Sequence, residues 1–505
     1  MYPIDMFYRQ AKLDPKALAV ECGDDRVNYH DLYRRTQAFA AALQKLDPEA
    51  GSRVGICCYN HVDHLVAWLA VLAASKIWVP LYPKNGQSEL ARAVDFTDMS
   101  IVIADPETRH LVDFGTAEVV LTGEGEGNTL SKLIAAHDGA VPRVFDLPLG
   151  FTQAIKFTGG STGVPKGVMQ TYRSWNAVIA IQIRAWEMQP GDRFLAAVPI
   201  THGTSTYLLP TLATGGTIVL IDRPRPAEVL RQLATNAITT TFLPPTLIYM
   251  MLEDPGIEDM RFDALRNMVY GSAPMRSDAI ARAQALFGPC IASTYGQTEA
   301  PQIATMISAQ ELLRADKRAS VGRETVLARV GVLDQGGDEV ATGDIGEIAI
   351  RGDLVMGGYW KQPEKTAEVM RKGWLLTGDL GSFDDEGFLF IKGRSKDVVI
   401  TGGFNVYPVD VEAVLAQSDG VADCAVFGVP DDKWGEALHA AVQRTSGTRI
   451  DPVALIAHVR KLLGPVKTPK SIIFYDTLPR NAYGKLQKQE LVDDFIAATK
   501  KENAQ

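Results

Sequence analysis

The chain has 505 residues, and at about 150 residues per domain that length allows two or three folded units with sizeable cores. With 46 % hydrophobic and 22 % charged residues, 44 Gly and 27 Pro, the composition is that of an ordinary folded enzyme and excludes disordered, collagen-like and low-complexity classes. The formal charge is −9 and the 51 basic residues are scattered among 60 acidic ones, so neither a nucleic-acid groove nor an anionic membrane surface is expected as partner.

From Arg53 onward short β-branched runs alternate with helical patterns: RVGICC, HLVAWLAVLAAS, WVPLY, SELARAVDF, SIVIAD. A second series starts at IKFT and runs through the helix-like SWNAVIAIQIRAW, then FLAAVP, GTIVLI, AEVLRQLATN, TTTFLPP, LRNMVYG, AIARAQALF and IASTYG. This alternation predicts two stretches of mainly parallel sheet with helices on their faces. After about Ser320 short runs separated by turn signals (QGGDE, TGDIGE, DDEG) predict a small antiparallel barrel or meander. Beyond Arg394 the helix VDVEAVLAQ, strand CAVFGV, helix PVALIAHVRKLLG and strand SIIFY predict a compact α+β unit joined by a short hinge near Lys396.

The five cysteines are too few and too dispersed for a disulfide framework, and no CxxC pair suggests zinc, so a reducing compartment is expected. MYPIDMFYRQ lacks an apolar signal core, and the longest charge-free apolar run, Leu65 to Ser75, falls short of the roughly 20 residues that span a bilayer. KKENAQ carries no lipidation or peroxisomal signal. A soluble, cytoplasmic protein is the expectation.

Four segments carry chemistry. Phe157 to Gly167, FTGGSTGVPKG, is dense in residues that wrap phosphate: glycines let backbone N–H groups approach an anion, hydroxyls add donors, and Lys166 adds a point charge. It is not a Walker loop, because Gly167 follows Lys166 where Ser or Thr is needed. Alone it is equally readable as a surface turn. Ser293 to Ala300, STYGQTEA, offers Tyr295 as a flat face for a base, Thr298 as a hydroxyl for phosphate and Glu299 as a hard oxygen ligand for Mg²⁺; packing beside a solvated carboxylate is the competing reading. In Gly373 to Pro408, Asp379 suits a ribose diol and Arg394 reinforces it, although DDEG makes a good hairpin turn by itself. Leu478 to Lys488, LPRNAYGKLQK, holds Lys485, which in isolation is an ordinary solvated lysine.

The joint occurrence of these segments, in this order and over nearly the whole length, resembles the ATP-dependent carboxylate-activating enzymes: acyl-CoA and aryl-CoA synthetases, adenylation domains of peptide synthetases, and beetle luciferases. The fold the resemblance implies is α/β and α+β. A large N-terminal domain, 1–394, would hold two helix-flanked mainly parallel sheets and a small antiparallel barrel at about 320–394, followed by a small mobile C-terminal domain, 395–505. By the same resemblance Thr158, Ser161, Thr162, Gly163 and Lys166 belong to the loop that handles the β- and γ-phosphates, with Gly159 in place of a serine common in relatives. Gly271, Ser272 and Ala273 border adenine and the acyl pocket, Tyr295 stacks on adenine, Thr298 contacts phosphate, Glu299 holds Mg²⁺, and Asp379 and Arg394 bind ribose.

Lys485 matches the adenylation lysine in the pattern P-R-x-x-x-G-K. The chemistry requires such a charge: a carboxylate is a poor partner for an anionic α-phosphate, and in-line attack needs positive charge between them. The resemblance also implies two half-reactions, acyl-adenylate formation with release of pyrophosphate and then attack by a thiol to give a thioester and AMP. Between them the C-terminal domain turns about Lys396, and the Gly402-Gly403 loop replaces Lys485 and lines a pantetheine channel. Trp434 in DDKWGE falls where CoA ligases commonly carry that motif, or packs only against its own domain. His202 in VPITHGTS resembles the histidine that separates the carboxylate site from the thiol channel, against the alternative of a buried, satisfied core histidine.

Ile200 to Thr204 lacks the aspartate with which peptide-synthetase domains hold a substrate ammonium, so an amino acid is not expected. The expected acid pocket, His202, Gly203, Thr204, Tyr207, Ser272 and Thr294, suggests an aryl or medium-chain acid. The implied substrates are ATP, CoA and a small carboxylic acid, with Mg²⁺ as cofactor and a homodimer left open. Two alternatives stand beside the CoA ligase: an enzyme that loads a carrier protein, and a nucleotide-binding regulator without catalysis. GGFNVYPVDVE and DDKWGE favour free CoA over the first, and the presence of Lys485, Glu299 and Asp379 disfavours the second.

Overall fold

The computed structural model describes residues 1–111, 113–158, 166–431, 433–445, 447–480 and 486–502, the last four by backbone alone. The chain opens with helix Pro3–Leu13 and the hairpin β1 (Leu18–Cys22) and β2 (Asp25–Asn28). There follow β3 (Arg53–Cys57), β4 (Ile77–Pro80), β5 (Ile101–Ala104) and β6 (Glu118–Leu121), then the antiparallel pair β7 (Thr152–Thr158) and β8 (Lys166–Thr171). These last six form one sheet in the order β6-β5-β3-β4-β7-β8.

The second sheet takes β9 (Arg193–Ala196), β10 (Thr217–Leu220), β11 (Thr240–Leu243), β12 (Asn267–Tyr270), β13 (Ile291–Tyr295), β14 (Thr305–Ile307) and β15 (Arg323–Glu324). It has nine strands in the order β15-β14-β13-β12-β11-β9-β10-β1-β2. One membership differs from the sequence pattern, and one strand precedes the series that the pattern identified. The IKFT strand β7 belongs to the first sheet, where Ala154 pairs in parallel with Trp78, and the early β1 crosses to the second, where Val20 pairs in parallel with Ile218. Alternation along the chain identifies strands but not which sheet edge each one joins, because that choice is made by long-range pairing.

Helix Val62–Ala73 is apolar around nearly its whole circumference, as a helix buried on all sides must be. Its N-terminus is capped by the His61 side chain, which accepts from the His64 backbone N–H. With helix Tyr172–Ala185 it belongs to a single core that includes residues of both sheets. At its centre Trp68, Trp78 and Trp175 pack with ring centroids 5.9 to 6.5 Å apart.

Antiparallel pairing is already present at β14, at the edge of the nine-stranded sheet. β15 still pairs with β14, and the curled five-stranded sheet starts at β16 (Ala328–Leu333). It continues with β17 (Gly346–Gly352), β18 (Met370–Arg371), β19 (Trp374–Phe383) and β20 (Leu389–Arg394). The last sheet comprises β21 (Val399–Thr401), β22 (Phe404–Val406), β23 (Val421–Asp431), β24 (Gly435–Arg444) and β25 (Ser471–Tyr475), with helices Pro408–Leu415, Pro452–Leu463 and Lys488–Glu502. Backbone proximity divides the chain into two compact units: Met1–Val330 with Ile350–Leu375, and Gly331–Ala349 with Leu376–Gln505. The cut expected at 394/395 lies within the second unit.

Candidate active site

In the first unit two of the four chemical segments meet at one tyrosine. Thr158 ends β7 directly opposite Lys166, which starts β8, so the two strands hold the mouth of the expected phosphate loop. Ser161, Thr162 and Gly163 lie outside the described residues. Lys166 places its Nζ 5.2 Å from the ring centroid of Tyr359. The Tyr359 hydroxyl donates to Glu299 Oε1 at 2.8 Å. Burial and the neighbouring Glu299 charge push the Tyr359 phenol well above its ordinary value, so it remains a donor.

The loop bearing Thr298 and Glu299 is fixed from two sides. Gln170 of β8 donates its amide to the Thr298 carbonyl at 2.9 Å, and the Met356 N–H donates to the Glu299 carbonyl at 2.8 Å. Gly296 is needed where it stands, because a Cβ there would come within 2.9 Å of the Ala300 and Gln302 backbone. Tyr295 closes β13 and is buried. Glu299 is a half-buried carboxylate with one oxygen engaged by a phenol, a hard donor suited to Mg²⁺.

The expected acid-pocket residues converge in part. His202, Gly203 and Thr204 lie on a single π-type turn, Ile200–Thr204, which leads into helix Ser205–Ala213 with Tyr207. A Cβ on Gly203 would approach Gln302 Oε1 and Phe242 Cε1 to 2.9 Å, and one on Gly271 would approach Phe242 and Thr294 to 3.2 Å. Thr294 Oγ1 donates to the Gln302 carbonyl at 2.6 Å, and Gln302 Nε2 donates to the Tyr207 hydroxyl at 3.3 Å. Tyr207 itself stacks between Phe194 and Phe242, with centroids at 5.1 and 5.4 Å. Gly203, Tyr207, Gly271 and Thr294 thus surround Phe242 and Gln302.

Thr204 is buried, and its hydroxyl has no hydrogen-bond partner among the described residues. Ser272 and Ala273 are exposed. Ser272 and Gln302 both hold a left-handed backbone with φ of 69°, a strained state for residues other than glycine. His202 is an uncharged imidazole: Tyr82 packs edge-on at 4.6 Å, Thr201 Oγ1 lies 2.7 Å from Nδ1, and burial with the nearby Lys156 charge pulls it down to about 3.

The second unit holds the remaining expected residues in two places. Asp379 of β19 faces Arg394 of β20 across the ladder, with Nε 2.7 Å from Oδ1; Asp379 is buried and Arg394 partly exposed. Lys396 follows on a short exposed turn. Gly402 and Gly403 both have positive φ, 59° and 83°. The Gly402 N–H donates to the Trp434 carbonyl at 2.8 Å, and a Cβ on Gly402 would meet the indole at 3.1 Å. Trp434 is 40 % exposed, and the Nζ atoms of Lys433 and Lys470 lie 5.0 and 4.9 Å from its ring centroid. Lys485 lies outside the described residues.

Sequence reasoning missed Tyr359, Phe242, Gln302 and Lys156. VMGGYW was read only as part of a turn-rich stretch, and Phe242 and Lys156 only as strand residues, although a lysine inside an apolar strand was a visible anomaly. Two cavities are also present. One of about 390 Å³ is lined by Tyr59, His61, Asp105, Glu107 and Asp222 among others and contains none of the expected site residues. Another, of about 320 Å³, is bordered by Tyr359. His61 and Asp105 form an ion pair at 2.7 Å that holds the carboxyl near about 2 despite its burial.

Strands flanking the expected phosphate loop, a carboxylate on a fixed loop and a neutral histidine beside aromatic side chains suit activation of an acid by a nucleotide. The chain matches the AMP-binding enzyme model over residues 7–360 and the AMP-binding enzyme C-terminal domain model over 410–485, and it belongs to that family. By class it is an AMP-forming acid–CoA ligase, with ATP and CoA as substrates. It is 34 % identical to a medium/long-chain-fatty-acid–CoA ligase of Mycobacterium tuberculosis, over 92 % of this chain and 85 % of that one. It is also 34 % identical to a feruloyl-CoA synthase of an Amycolatopsis species, over 96 % and 97 %. Among solved structures, ATP-bound MatB from Rhodopseudomonas palustris superposes with a TM-score of 0.90 at 30 % identity, over 98 % of this chain and 99 % of that one. Among the described residues no helix is long and apolar enough to cross a membrane.

Proposed function

We propose that the enzyme activates an aryl or medium-chain carboxylic acid with ATP, giving acyl-AMP and pyrophosphate, and passes the acyl group to CoA with release of AMP. The observation that carries the choice of acid is the ring of Gly203, Tyr207, Phe242, Gly271, Thr294 and Gln302, which supplies aromatic faces and one amide but no carboxylate to pair with a substrate ammonium. The similarity to a fatty-acid ligase on one side and a feruloyl-CoA synthase on the other supports the same range.

In the first half-reaction the acid carboxylate attacks the α-phosphorus and pyrophosphate leaves. Thr158, Ser161, Thr162, Gly163 and Lys166 hold the β- and γ-phosphates, Tyr295 and Gly271 to Ala273 border the adenine, and Asp379 with Arg394 takes the ribose. Glu299, steadied by Tyr359, holds Mg²⁺, which when bound offsets phosphate charge. Lys485 supplies the remaining positive charge between carboxylate and phosphate. His202, kept neutral, borders the acid site without adding a competing cation.

In the second half-reaction the CoA thiolate attacks the acyl carbonyl and AMP leaves. The C-terminal segment 395–505 turns about Lys396, and Gly402 and Gly403 leave room for pantetheine where side chains would obstruct it. Trp434 with Lys433 and Lys470 offers a stacking face edged by positive charge to the nucleotide end of CoA. Five dispersed cysteines accord with a reducing, cytoplasmic location.

The test is CoA-dependent AMP release with ATP, Mg²⁺ and a panel of benzoates, cinnamates, fatty acids and amino acids. Selective turnover of an aryl or medium-chain acid is expected. Pyrophosphate without a thioester would make a carrier protein the acceptor, and turnover of an amino acid alone would refute the pocket reading.

A further inference from the structure

Strand β7 carries Lys156 two residues before Thr158, and its side chain enters the tryptophan core. The residue is only 8 % exposed. Its Nζ lies 4.8 Å from the Trp78 ring centroid and 5.8 Å from that of Trp175. Its hydrogen bonds go to Ser205 Oγ at 2.8 Å and to the His202 carbonyl at 3.2 Å, and Ser205 Oγ donates to that same carbonyl at 2.8 Å. Among the described residues no carboxylate pairs with it. Desolvation alone brings the amine down to about 7.

A methionine or leucine would fill this place without the cost of burying an amine that lacks a counter-ion. What the amine reaches, and an apolar side chain would not, is the Ile200–Thr204 turn. That turn is not a regular helix: His202, at φ −105° and ψ −147°, leaves helical geometry. Lys156 and Ser205 both donate to the carbonyl of that residue, so each bears on the shape of the turn.

We propose that Lys156 is a positioning residue of the acid-activating site, tying the turn that carries His202 and Gly203 to the strand that enters the phosphate loop. The inference rests on the ligase reading above. Cross-linking the two parts fixes where the acid carboxylate sits relative to the phosphates, which is the distance that matters for in-line attack.

The test is Lys156→Met, with Lys156→Gln as a shorter, neutral donor. In acid-dependent ATP–pyrophosphate exchange the Met variant is expected to raise the KM for the acid about tenfold or more while the KM for ATP moves less than about twofold. The Gln variant recovers part of that loss. Thermal stability of the Met variant is expected to equal or exceed wild type, since an unpaired buried amine has been removed. An unchanged acid KM, or a fall in kcat alone accompanied by a lower Tm, would overturn the proposal by leaving Lys156 a purely structural role. An NMR titration of His202 needs no substrate: its pKa should rise in the Met variant, and an unmoved value refutes the contact. If wild type activated no acid at all, the ligase reading would fail, and the titration would still decide whether Lys156 acts on the His202 turn.

Discussion

The His202 turn and the Gly402–Gly403 loop are both expected to face an acyl group in the course of the reaction, yet they are built on opposite lines. The first is buried and held by Lys156, Ser205 and Tyr82, around an imidazole kept neutral. The second is exposed, left-handed at both glycines, and forms the two-residue turn between β21 and β22, with a further backbone hydrogen bond to Trp434. The difference matches the tasks proposed for them. A pocket that selects an acid needs fixed walls, because selectivity between similar acids is worth only about 1 to 3 kcal/mol per methylene and is lost if the walls yield. A channel that admits a long, flexible thiol needs clearance more than contacts.

The contrast can be broken or sharpened by substitution. The largest expected effect is at Lys485: Lys485→Ala should lower adenylation about a hundredfold to a thousandfold while sparing thioester formation from supplied acyl-AMP. Equal loss in both single-turnover assays would end the assignment of that lysine to one half-reaction. Next comes Gly203→Leu, in which the new side chain meets Gln302 and Phe242 at once; about tenfold to a hundredfold loss is expected for bulky acids before small ones. A substrate profile that does not change shape would remove Gly203 from the pocket wall.

Smaller effects fall on the open side. Trp434→Ala should raise the KM for CoA about fivefold to tenfold, a stacking contribution of roughly 1 kcal/mol, with pyrophosphate exchange unaltered. A change in exchange instead would place Trp434 in the wrong half-reaction.

The remaining test reads stability rather than activity, as a pH dependence. His202 has a folded value near 3 against an unfolded value of roughly 6.5, so the unfolded chain binds more protons between those limits. Its contribution is complete above about pH 6.5 and is lost as pH falls toward 3. Relative to His202→Gln, wild type should lose denaturant resistance over that window, and parallel curves would show that the imidazole protonates freely.

Much of this was legible in the sequence because the contributing residues are close together in the chain. FTGGSTGVPKG, STYGQTEA and the Asp379 to Arg394 strand pair carry their chemistry within short windows, and the C-terminal elements follow directly from local hydrophobic pattern. What was not legible depends on long-range contact. Tyr359 meets Glu299 from 60 residues away and Gln302 meets Tyr207 from 95, and neither residue type is distinctive where it stands. Lys156 illustrates the same limit: its oddity shows in the strand IKFT, but its meaning depends on a turn 46 residues later. The placement of β7 in one sheet and β1 in the other has the same origin.

The left-handed backbone at Gln302 has a consequence for how this enzyme can change. Glycine at that position would relax the strain and steady the fold, but it would also delete the amide that meets Tyr207 and adjoins Gly203. On the proposed reading of the pocket, relief of that strain and selection for a particular acid therefore pull in opposite directions at a single codon. A library screened only for heat tolerance should drift toward glycine there and toward indifference in what it activates.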